Sequence, residues 1–220
     1  MDIEQIAPPD FIVIEGPIGV GKTSLAHRLA ECFGRQTLLE CAEDNPFLEG
    51  FYRDAAAAAF PAQLHFLFQR SRQLETLRQR ELFSDGLVAD FMFAKDRLFA
   101  HLNLRKDELT LYEEVYSRLS MDAPTPDLVV YLQAPVDVLL QRVRKRARPQ
   151  EKTLSSDYLA RVNDAYTRFF YRYDEAPVLI VNAASINPVD RDSDLMALVE
   201  QIRRPKRGRS YFNPSPLAIN

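Results

Sequence analysis

Short apolar runs alternate along this chain with longer segments of helical spacing, and this alternation predicts the class of fold. Continuous apolar runs are typical of strands buried on both faces of a parallel sheet, whereas apolar residues every three or four positions are typical of helices. The segments predicted as strands are Phe11–Glu15, Thr37–Cys41, Leu87–Asp90, Leu128–Leu132 and Val178–Val181. The pattern therefore predicts an α/β fold with a doubly wound, five-stranded parallel sheet and flanking helices.

The segments between these strands carry helical spacing or strong helix formers. The predicted helices are Ser24–Phe33, Phe47–Ala59, Ala62–Phe83, Asp107–Met121, Val136–Arg146, Asp157–Tyr173 and Asp192–Arg203. In the helix predicted over Ala62–Phe83, one broad apolar face recurs at steps of three, four and seven, formed by Leu64, Leu67, Phe68, Leu74 and Leu77. Such a face fits packing into the core or a dimer bundle, and the sequence leaves both open.

Length and composition predict one large domain with a substantial core, because the chain has 220 residues, 46% hydrophobic and 27% charged. We expect that domain to occupy residues 1–203. Residues 204–220 are basic and contain prolines with little apolar periodicity, so a flexible tail is predicted there. A nucleic-acid-binding arm is the alternative for this tail, but the net charge of -3 gives no broad attraction for nucleic acid, and no such partner is expected.

The sequence favours a reduced, cytoplasmic protein. Its two cysteines, Cys32 and Cys41, have neither CxxC nor zinc-site spacing. The acidic N-terminus lacks a basic segment followed by an apolar run, and no apolar stretch approaches the roughly 20 residues that span a bilayer. No membrane association is therefore expected.

The strongest motif is GPIGVGKT at residues 16–23, which fits the GxxxxGK[ST] phosphate loop between a predicted strand and a predicted helix. Glycines let the backbone N–H groups turn toward phosphate oxygens, and the positive end of the helix dipole lies there. The residues expected to bind ATP are Gly16, Gly19, Gly21, Lys22, Thr23 and Ser24. Lys22 should bridge the β- and γ-phosphates, and the Thr23 hydroxyl should bind Mg²⁺. Neither the NKxD of a GTPase nor the Asp-Glu strand end of a motor ATPase is found.

From Glu40 the chain reads ECAEDNPFLEGFY, and over residues 11–182 it resembles the deoxynucleoside kinases, especially those of bacteria. The resemblance implies that Glu40 is the base that orients and deprotonates the 5′-hydroxyl of the acceptor. Glu43 and Asp44 are nearby competitors for this role. A carboxylate at this point also suits an alcohol acceptor better than an anionic monophosphate.

The same resemblance implies residues that hold the deoxynucleoside. Gln63 and Arg70 lie seven residues apart, hence on one helix face, and match residues that read the base. Asp96 matches the aspartate that, with this arginine, reads the base in the deoxycytidine and deoxyguanosine kinases, a combination that disfavours thymidine. The similarity of the Asn-Pro-Phe segment to bacterial members implies a preference for purine deoxynucleosides. Tyr52 and Glu151 match the pair that grips the deoxyribose.

The basic run at residues 141–151 resembles the arginine-rich lid of these kinases. Arg142, Arg146 and Arg148 match the lid arginines, whose guanidinium groups would stabilise charge on the transferring phosphoryl group. A solvated basic helix is the alternative. In a chain that also contains a phosphate loop, we favour the lid.

The resemblance breaks after the third predicted strand, where the family has an acid followed by arginine. Asp90 keeps the acid and could help position Mg²⁺, but Phe91 stands where the arginine is expected. We hypothesise that Lys95 or Arg97 replaces the missing charge. The gap also leaves open a catalytically silent subunit of the same fold, and the shared motifs leave open a nucleoside monophosphate kinase.

Taken together, the residues and the resemblance predict an ATP- and Mg²⁺-dependent deoxynucleoside 5′-kinase for nucleotide salvage. A homodimer formed through the helices around Ala62–Phe83 and Asp107–Met121 is expected from the resemblance alone.

Overall fold

The computed structural model describes residues 6–79, 86–119 and 123–214, and this part of the chain contains a six-stranded, fully parallel sheet. The strands are β1 (Phe11–Glu15), β2 (Gln36–Leu38), β3 (Leu87–Ala89), β4 (Leu128–Gln133), β5 (Val178–Asn182) and β6 (Arg209–Phe212). Their spatial order is β2-β3-β1-β4-β5-β6. The predicted class of fold is confirmed, but the predicted number of five strands is wrong.

The sixth strand lies in the segment for which a flexible tail was predicted. Arg209–Phe212 pairs with β5, and the Gly208 carbonyl accepts a hydrogen bond from the Val178 amide at 2.8 Å. The Arg209 guanidinium also donates to the carbonyls of Phe170 and Tyr173, at 2.9 and 2.8 Å. The flexible-tail prediction is therefore wrong for β6, which lacks the continuous apolar run that reveals the inner strands. The last residues, 215–220, lie outside the described part of the chain.

The helices flank the sheet on both sides. They are α1 (Lys22–Phe33), α2 (Leu48–Arg53), α3 (Ala55–Gln79), α4 (Lys95–Asn103), α5 (Lys106–Leu119), α6 (Val136–Arg146), α7 (Ser156–Arg172) and α8 (Asp192–Arg203), with 3-10 turns at Ala42–Asp44 and Pro149–Glu151. Most ends agree with the predicted ones within about two residues, the usual uncertainty of a helix end. The sequence did not predict α4, which is only nine residues long.

The predicted break between two helices at Pro61 is wrong, because α3 continues through this proline. Proline removes one intrahelical hydrogen bond. The turn that contains it is held by its neighbours Ala59 and Ala62, which are buried against α2. The helix begins instead after Asp54, whose carboxylate accepts a hydrogen bond from the Ala56 amide at 3.1 Å. Residues 80–83 of the predicted helix and Met121 of the next one lie outside the described residues.

Two hydrophobic cores cover the two faces of the sheet. In β1, Phe11 and Val13 pack on the side of α3, α5 and α7, while Ile12 and Ile14 pack on the side of α1 and α8. Because every residue of β1 is buried, its carboxyl end is fixed at the centre of the molecule. The loops that follow β1, β2 and β3 therefore meet at one edge of the sheet, where ligands of such folds bind.

The apolar face predicted on α3 is divided between core and surface. Leu67 and Leu74 are buried in the core, whereas the Phe68 side chain is 44% exposed. On α5, Leu111 is 50% exposed. The Leu77 side chain lies outside the described part. Within the described residues, no helix has both the length and the apolar character required to cross a membrane.

Candidate active site

The phosphate loop follows β1 directly and leads into α1. Gly16, Gly19 and Gly21 have φ angles of 147°, 84° and 105°. A Cβ on Gly16 would lie 2.5 Å from the carbonyl oxygen of Leu132, and one on Gly19 would lie 2.7 Å from Cγ2 of Val143. Both positions therefore require glycine, for the backbone conformation and for the close approach of neighbouring elements.

Lys22 and Thr23 begin α1 at the mouth of this loop. Lys22 Nζ donates to the carbonyl oxygen of Gly16 at 2.8 Å, and Thr23 Oγ1 donates to Asp90 Oδ2 at 2.5 Å. Burial lowers the pKa of Lys22 to about 8, and repulsion from Lys95 acts in the same direction. Ser24, predicted with them, is exposed on the first turn.

The Thr23 hydroxyl and the Asp90 carboxylate fit a magnesium ion chemically. Mg²⁺ prefers hard oxygen ligands, and beside a triphosphate it takes one or two of them from the protein and the others from water and phosphate. In the part of the chain that the structure describes, no group of three or more His, Cys, Asp or Glu side chains could hold a metal by itself. The pair at residues 23 and 90 is therefore suited to a metal that arrives with nucleotide.

Glu40 lies just beyond β2, and its backbone is held from two sides. Its amide donates to Asp90 Oδ1 at 2.7 Å. The carbonyls of the residues before and after it accept hydrogen bonds from Gln73 and Gln69 of α3, at 2.8 and 3.0 Å. Neither glutamine was predicted from the sequence. Their spacing of four on one helix face was the available signal, but it does not reveal what the face contacts.

The Glu40 carboxylate contacts two buried cations. One oxygen accepts a hydrogen bond from the Arg70 guanidinium, and the other lies 3.2 Å from Lys95 Nζ. Burial acts to raise the pKa of Glu40, but attraction to Lys95, Arg70 and Lys22 outweighs it and holds that pKa well below its ordinary value. The carboxylate is therefore ionised throughout the physiological pH range.

Lys95 is the first residue of α4, and its side chain is only 3% exposed. Its ammonium also lies 3.9 Å from Oε1 of Glu15, the last residue of β1. The fully buried Glu15 accepts hydrogen bonds from the amides of Gly16 and Met92 and from the Tyr166 hydroxyl, at 3.1, 2.9 and 3.0 Å. Glu15 was not predicted as a functional residue, because in the sequence it is only the polar end of a strand.

Arg70 and Gln63 extend from α3 toward the same region. Both contact Asp96, whose carboxylate also accepts a hydrogen bond from the Tyr112 hydroxyl at 2.9 Å. Burial acts to lower the pKa of Arg70, but Asp96 and Glu40 raise it above its ordinary value. Gln63 and Arg70 line the cavity described below, whereas Asp96 is fully buried behind them. The predicted residues come together, but Asp96 lies one layer further from the cavity.

Tyr52 and Glu151, predicted to grip the sugar, both line this cavity. Glu151 Oε1 lies 2.5 Å from Arg146 Nη2, while its other oxygen is buried without a hydrogen-bond partner among the described residues. Burial raises the pKa of Tyr52 well above its ordinary value, so its hydroxyl stays neutral and able to donate. This end of the cavity therefore offers an acceptor beside a donor.

The three predicted lid arginines take two different positions. Arg146 and Arg148 line the cavity, and Arg148 lies 3.8 Å from Glu43 across it. Arg142 instead bridges backbone carbonyls of the phosphate loop and of the segment after β5, at 3.2 Å from Val20 and 2.7 Å from Ala183. It therefore ties the lid helix to the loop rather than lining the cavity.

Of the two residues suggested to replace the arginine absent at Phe91, only Lys95 lies near Glu40. Arg97 is half exposed, pairs with Glu113 at 3.1 Å and does not line the cavity. The contact with Glu40 therefore favours Lys95 over Arg97, and the replacement of the missing charge stays a prediction.

One cavity of about 360 Å³ connects the groups that line it, and Lys95 lies against its wall, 3.2 Å from the lining residue Glu40. Its lining includes the phosphate-loop residues Lys22 and Thr23 together with Glu40, Gln63 and Arg70. This volume is in the range of sites that bind small molecules, and apolar side chains supply much of the rest of the wall.

A family model described as deoxynucleoside kinase matches residues 12–204 of this chain. The chain belongs to the deoxynucleoside kinase family. As a family member it is an ATP-binding kinase, and the predicted class of enzyme is confirmed.

Two curated relatives of this deoxynucleoside kinase come from Bacillus subtilis. Its deoxyguanosine kinase is 34% identical over 198 residues, with 88% of this chain and 96% of the relative covered. Its deoxyadenosine/deoxycytidine kinase is 27% identical over 210 residues, with 92% and 95% covered. A solved structure of deoxyadenosine kinase from M. mycoides has a TM-score of 0.77 at 23% identity and covers 89% of this chain and all of that one, a likeness of fold.

Proposed function

We propose that this kinase transfers the γ-phosphate of ATP to the 5′-hydroxyl of a deoxynucleoside, with a preference for purines, in nucleotide salvage. The observation that carries the proposal is the position of Glu40, an ionised carboxylate in the same cavity as the phosphate-loop residues Lys22 and Thr23. Phosphoryl transfer to an alcohol requires residues that bind the phosphates close to a group that orients the hydroxyl.

Each end of the cavity has a separate task in this reaction. The phosphate-loop amides and Lys22 bind the phosphates, while Thr23 and Asp90 would hold Mg²⁺, which neutralises charge on the phosphates when bound. Glu40 orients the acceptor hydroxyl and accepts its proton as the new P–O bond forms. Arg146 and Arg148, which line the cavity, stabilise negative charge on the transferring group.

Gln63 and Arg70, which line the cavity, support the proposed preference for purines. Gln63 offers a donor and an acceptor side by side, and Arg70 presents further N–H donors suited to the acceptor atoms of a purine edge. Asp96 acts as a positioning residue, because its carboxylate fixes both side chains from behind. Relatives of 34% and 29% identity are named deoxyguanosine kinase and deoxyadenosine kinase, which supports the same preference.

At the sugar, Tyr52 and Glu151 would bind the 3′-hydroxyl. The support is the Glu151 oxygen that is buried without a hydrogen-bond partner among the described residues, in a side chain that lines the cavity. A hydroxyl donor placed there would satisfy it.

A homodimer is part of the proposal. Phe68 of α3 and Leu111 of α5 are large apolar side chains with 44% and 50% of their surface exposed, on helices that contact one another. Their burial against a second copy would remove apolar surface from water, which favours association. Replacing both with Ser should convert a dimer to a monomer in analytical ultracentrifugation, and an unchanged mass would contradict this part.

The experiment that tests the function is ADP release from Mg-ATP with each of the four natural deoxynucleosides. We expect the highest kcat/KM with deoxyguanosine or deoxyadenosine, and loss of that activity in Lys22→Ala. A preference for thymidine would contradict the purine assignment. A preference for the corresponding nucleoside monophosphates would show instead a monophosphate kinase.

A further inference from the structure

The buried ammonium of Lys95 has unused hydrogen-bonding capacity. An ammonium has three N–H donors. In the described part of the chain Lys95 Nζ makes one hydrogen bond, to Glu40 Oε2 at 3.2 Å. Its distance of 3.9 Å to Glu15 is an ion pair but too long for a hydrogen bond. A lysine side chain 3% exposed with donors to spare is unusual, because burial of a polar group without partners costs free energy.

The carboxylates beside Lys95 also have other partners. Glu15 accepts three other hydrogen bonds, from two backbone amides and a tyrosine hydroxyl. Glu40 is paired with the Arg70 guanidinium. Lys95 pairs with both carboxylates, but this pairing uses only one of its three N–H donors.

Lys95 is also close to the phosphate-binding lysine. The two ammonium groups lie near enough for their charges to repel. Lys95 Nζ lies 3.2 Å from Glu40, which lines the same cavity as Lys22, and the group that passes between the phosphate loop and Glu40 in the proposed reaction is a phosphoryl group.

We propose that Lys95 is a catalytic residue that supplies the positive charge at the acceptor side of the phosphoryl group, in place of a guanidinium at position 91. The proposal rests on the proposed function. In the step, the acceptor oxygen forms a bond to the γ-phosphorus, the bond to the β-phosphate oxygen breaks with its electron pair leaving on ADP, and the hydroxyl proton passes to Glu40. Lys95 donates hydrogen bonds to the acceptor and phosphoryl oxygens and transfers no proton.

Position 91 is consistent with this role. The Phe91 ring is 1% exposed, and its centroid lies 6.0 Å from Lys95 Nζ and 5.9 Å from the Arg70 guanidinium carbon. The ring therefore covers the two cations with an apolar surface, which lowers the local dielectric and strengthens their interaction with an anion.

The test compares Lys95→Gln and Lys95→Met with the matched control Arg97→Met. If Lys95→Met does not fold, Lys95→Gln still provides the test, because glutamine keeps a hydrogen-bond donor at this buried position. We expect kcat with the preferred deoxynucleoside to fall about 100-fold or more in both Lys95 variants, as for the loss of one charge-stabilising donor. The KM for ATP should stay within about threefold, as expected when an interaction made in the transition state is removed. Arg97→Met should match the wild type.

A second readout separates this proposal from the proposed function. Binding of ADP, Mg²⁺ and aluminium fluoride, an anionic mimic of the transferring phosphoryl group, should weaken at least about tenfold in Lys95→Gln, while binding of ADP and Mg²⁺ alone is unchanged. A kcat within about threefold of wild type in folded Lys95→Gln overturns the proposal. If the wild type phosphorylates no deoxynucleoside, the proposed function is wrong. Binding of the phosphoryl mimic then tests the role of Lys95 by itself, and equal affinity of the wild type and Lys95→Gln for the mimic overturns that role.

Discussion

The donor half of the cavity, residues 16–24, and its acceptor half, formed around Glu40, Arg70 and Lys95, are built in different ways. The donor half is one continuous loop whose shape depends on glycines with positive φ angles. The acceptor half gathers side chains from the ends of β1 and β2 and from α3 and α4 into a buried row of alternating charges: Glu15, Lys95, Glu40, Arg70 and Asp96. The donor half therefore depends on backbone conformation and the acceptor half on charge pairing. Substitutions in the two halves should have different effects on binding and on stability.

The largest effect is expected from removal of the donor-half cation. Lys22→Ala should abolish detectable Mg-ATP binding and lower turnover about 100-fold or more, because the lysine contacts phosphate in the ground state and in the transition state. Isothermal titration and ADP release measure the two effects. The exposed Lys106 provides the control, and Lys106→Ala should match the wild type. Turnover retained without Lys22 would show that the loop is not the donor site.

In the acceptor half, removal of a cation should mainly lower the stability of the fold. Arg70→Met leaves the buried Asp96 without an ion-pair partner among the described residues and Glu40 with Lys95 alone, so the free energy of unfolding should fall by about 3–5 kcal/mol. Arg53 forms an exposed pair with Glu49 and is the matched control. Arg53→Met should leave the urea midpoint almost unchanged. Equal midpoints for the two variants would mean that the row of charges does not stabilise the fold.

A steric clash in addition to backbone strain should be specific to the donor half. Gly19→Ala combines a φ angle of 84° with a Cβ only 2.7 Å from Val143 Cγ2, whereas Gly34→Ala has a φ angle of 63° and no atom within 4 Å. Both should lose about 1–2 kcal/mol for the left-handed conformation. Only Gly19→Ala should lose more than that and also weaken Mg-ATP binding. Thermal unfolding and titration of both variants check this, and equal losses would contradict the close approach.

The smallest expected effect is the uptake of protons when Mg-ATP binds. Because the pKa of Lys22 is lowered to about 8, this group is partly deprotonated at pH 8 in the free protein. Bound phosphate favours the charged form, so binding should raise this pKa and take up about half a proton at pH 8. Uptake should be much smaller at pH 6.5, where the lysine is already charged. Calorimetric titrations in buffers of different ionisation enthalpy measure it, and a binding enthalpy independent of buffer at pH 8 would contradict the lowered pKa.

The two halves also differ in how far the sequence predicts them. Eight consecutive residues, 16–23, carry the whole donor motif, so its place after β1 and before α1 was predictable from local pattern alone. Glu40, Gln63 and Arg70 were found only through resemblance to a family, since single polar residues on helices are usually solvent-exposed.

The features that the sequence analysis missed depend on long-range packing. Glu15 looks like an ordinary strand end until β3 and α7 bring Met92 and Tyr166 to its carboxylate. Strand β6 is short and half exposed, so its pairing with β5 leaves no periodic signal. The path of α3 through Pro61 likewise depends on packing against α2 rather than on local propensity.

The most direct test of the account is Glu40→Gln, studied for Mg-ATP binding and for turnover with the preferred deoxynucleoside. We expect a dissociation constant for Mg-ATP within about threefold of wild type, since the carboxylate belongs to the acceptor half. The kcat should fall by about 100- to 10,000-fold, the range for loss of a general base. Turnover equal to wild type would contradict the assignment of Glu40 as the group that receives the hydroxyl proton.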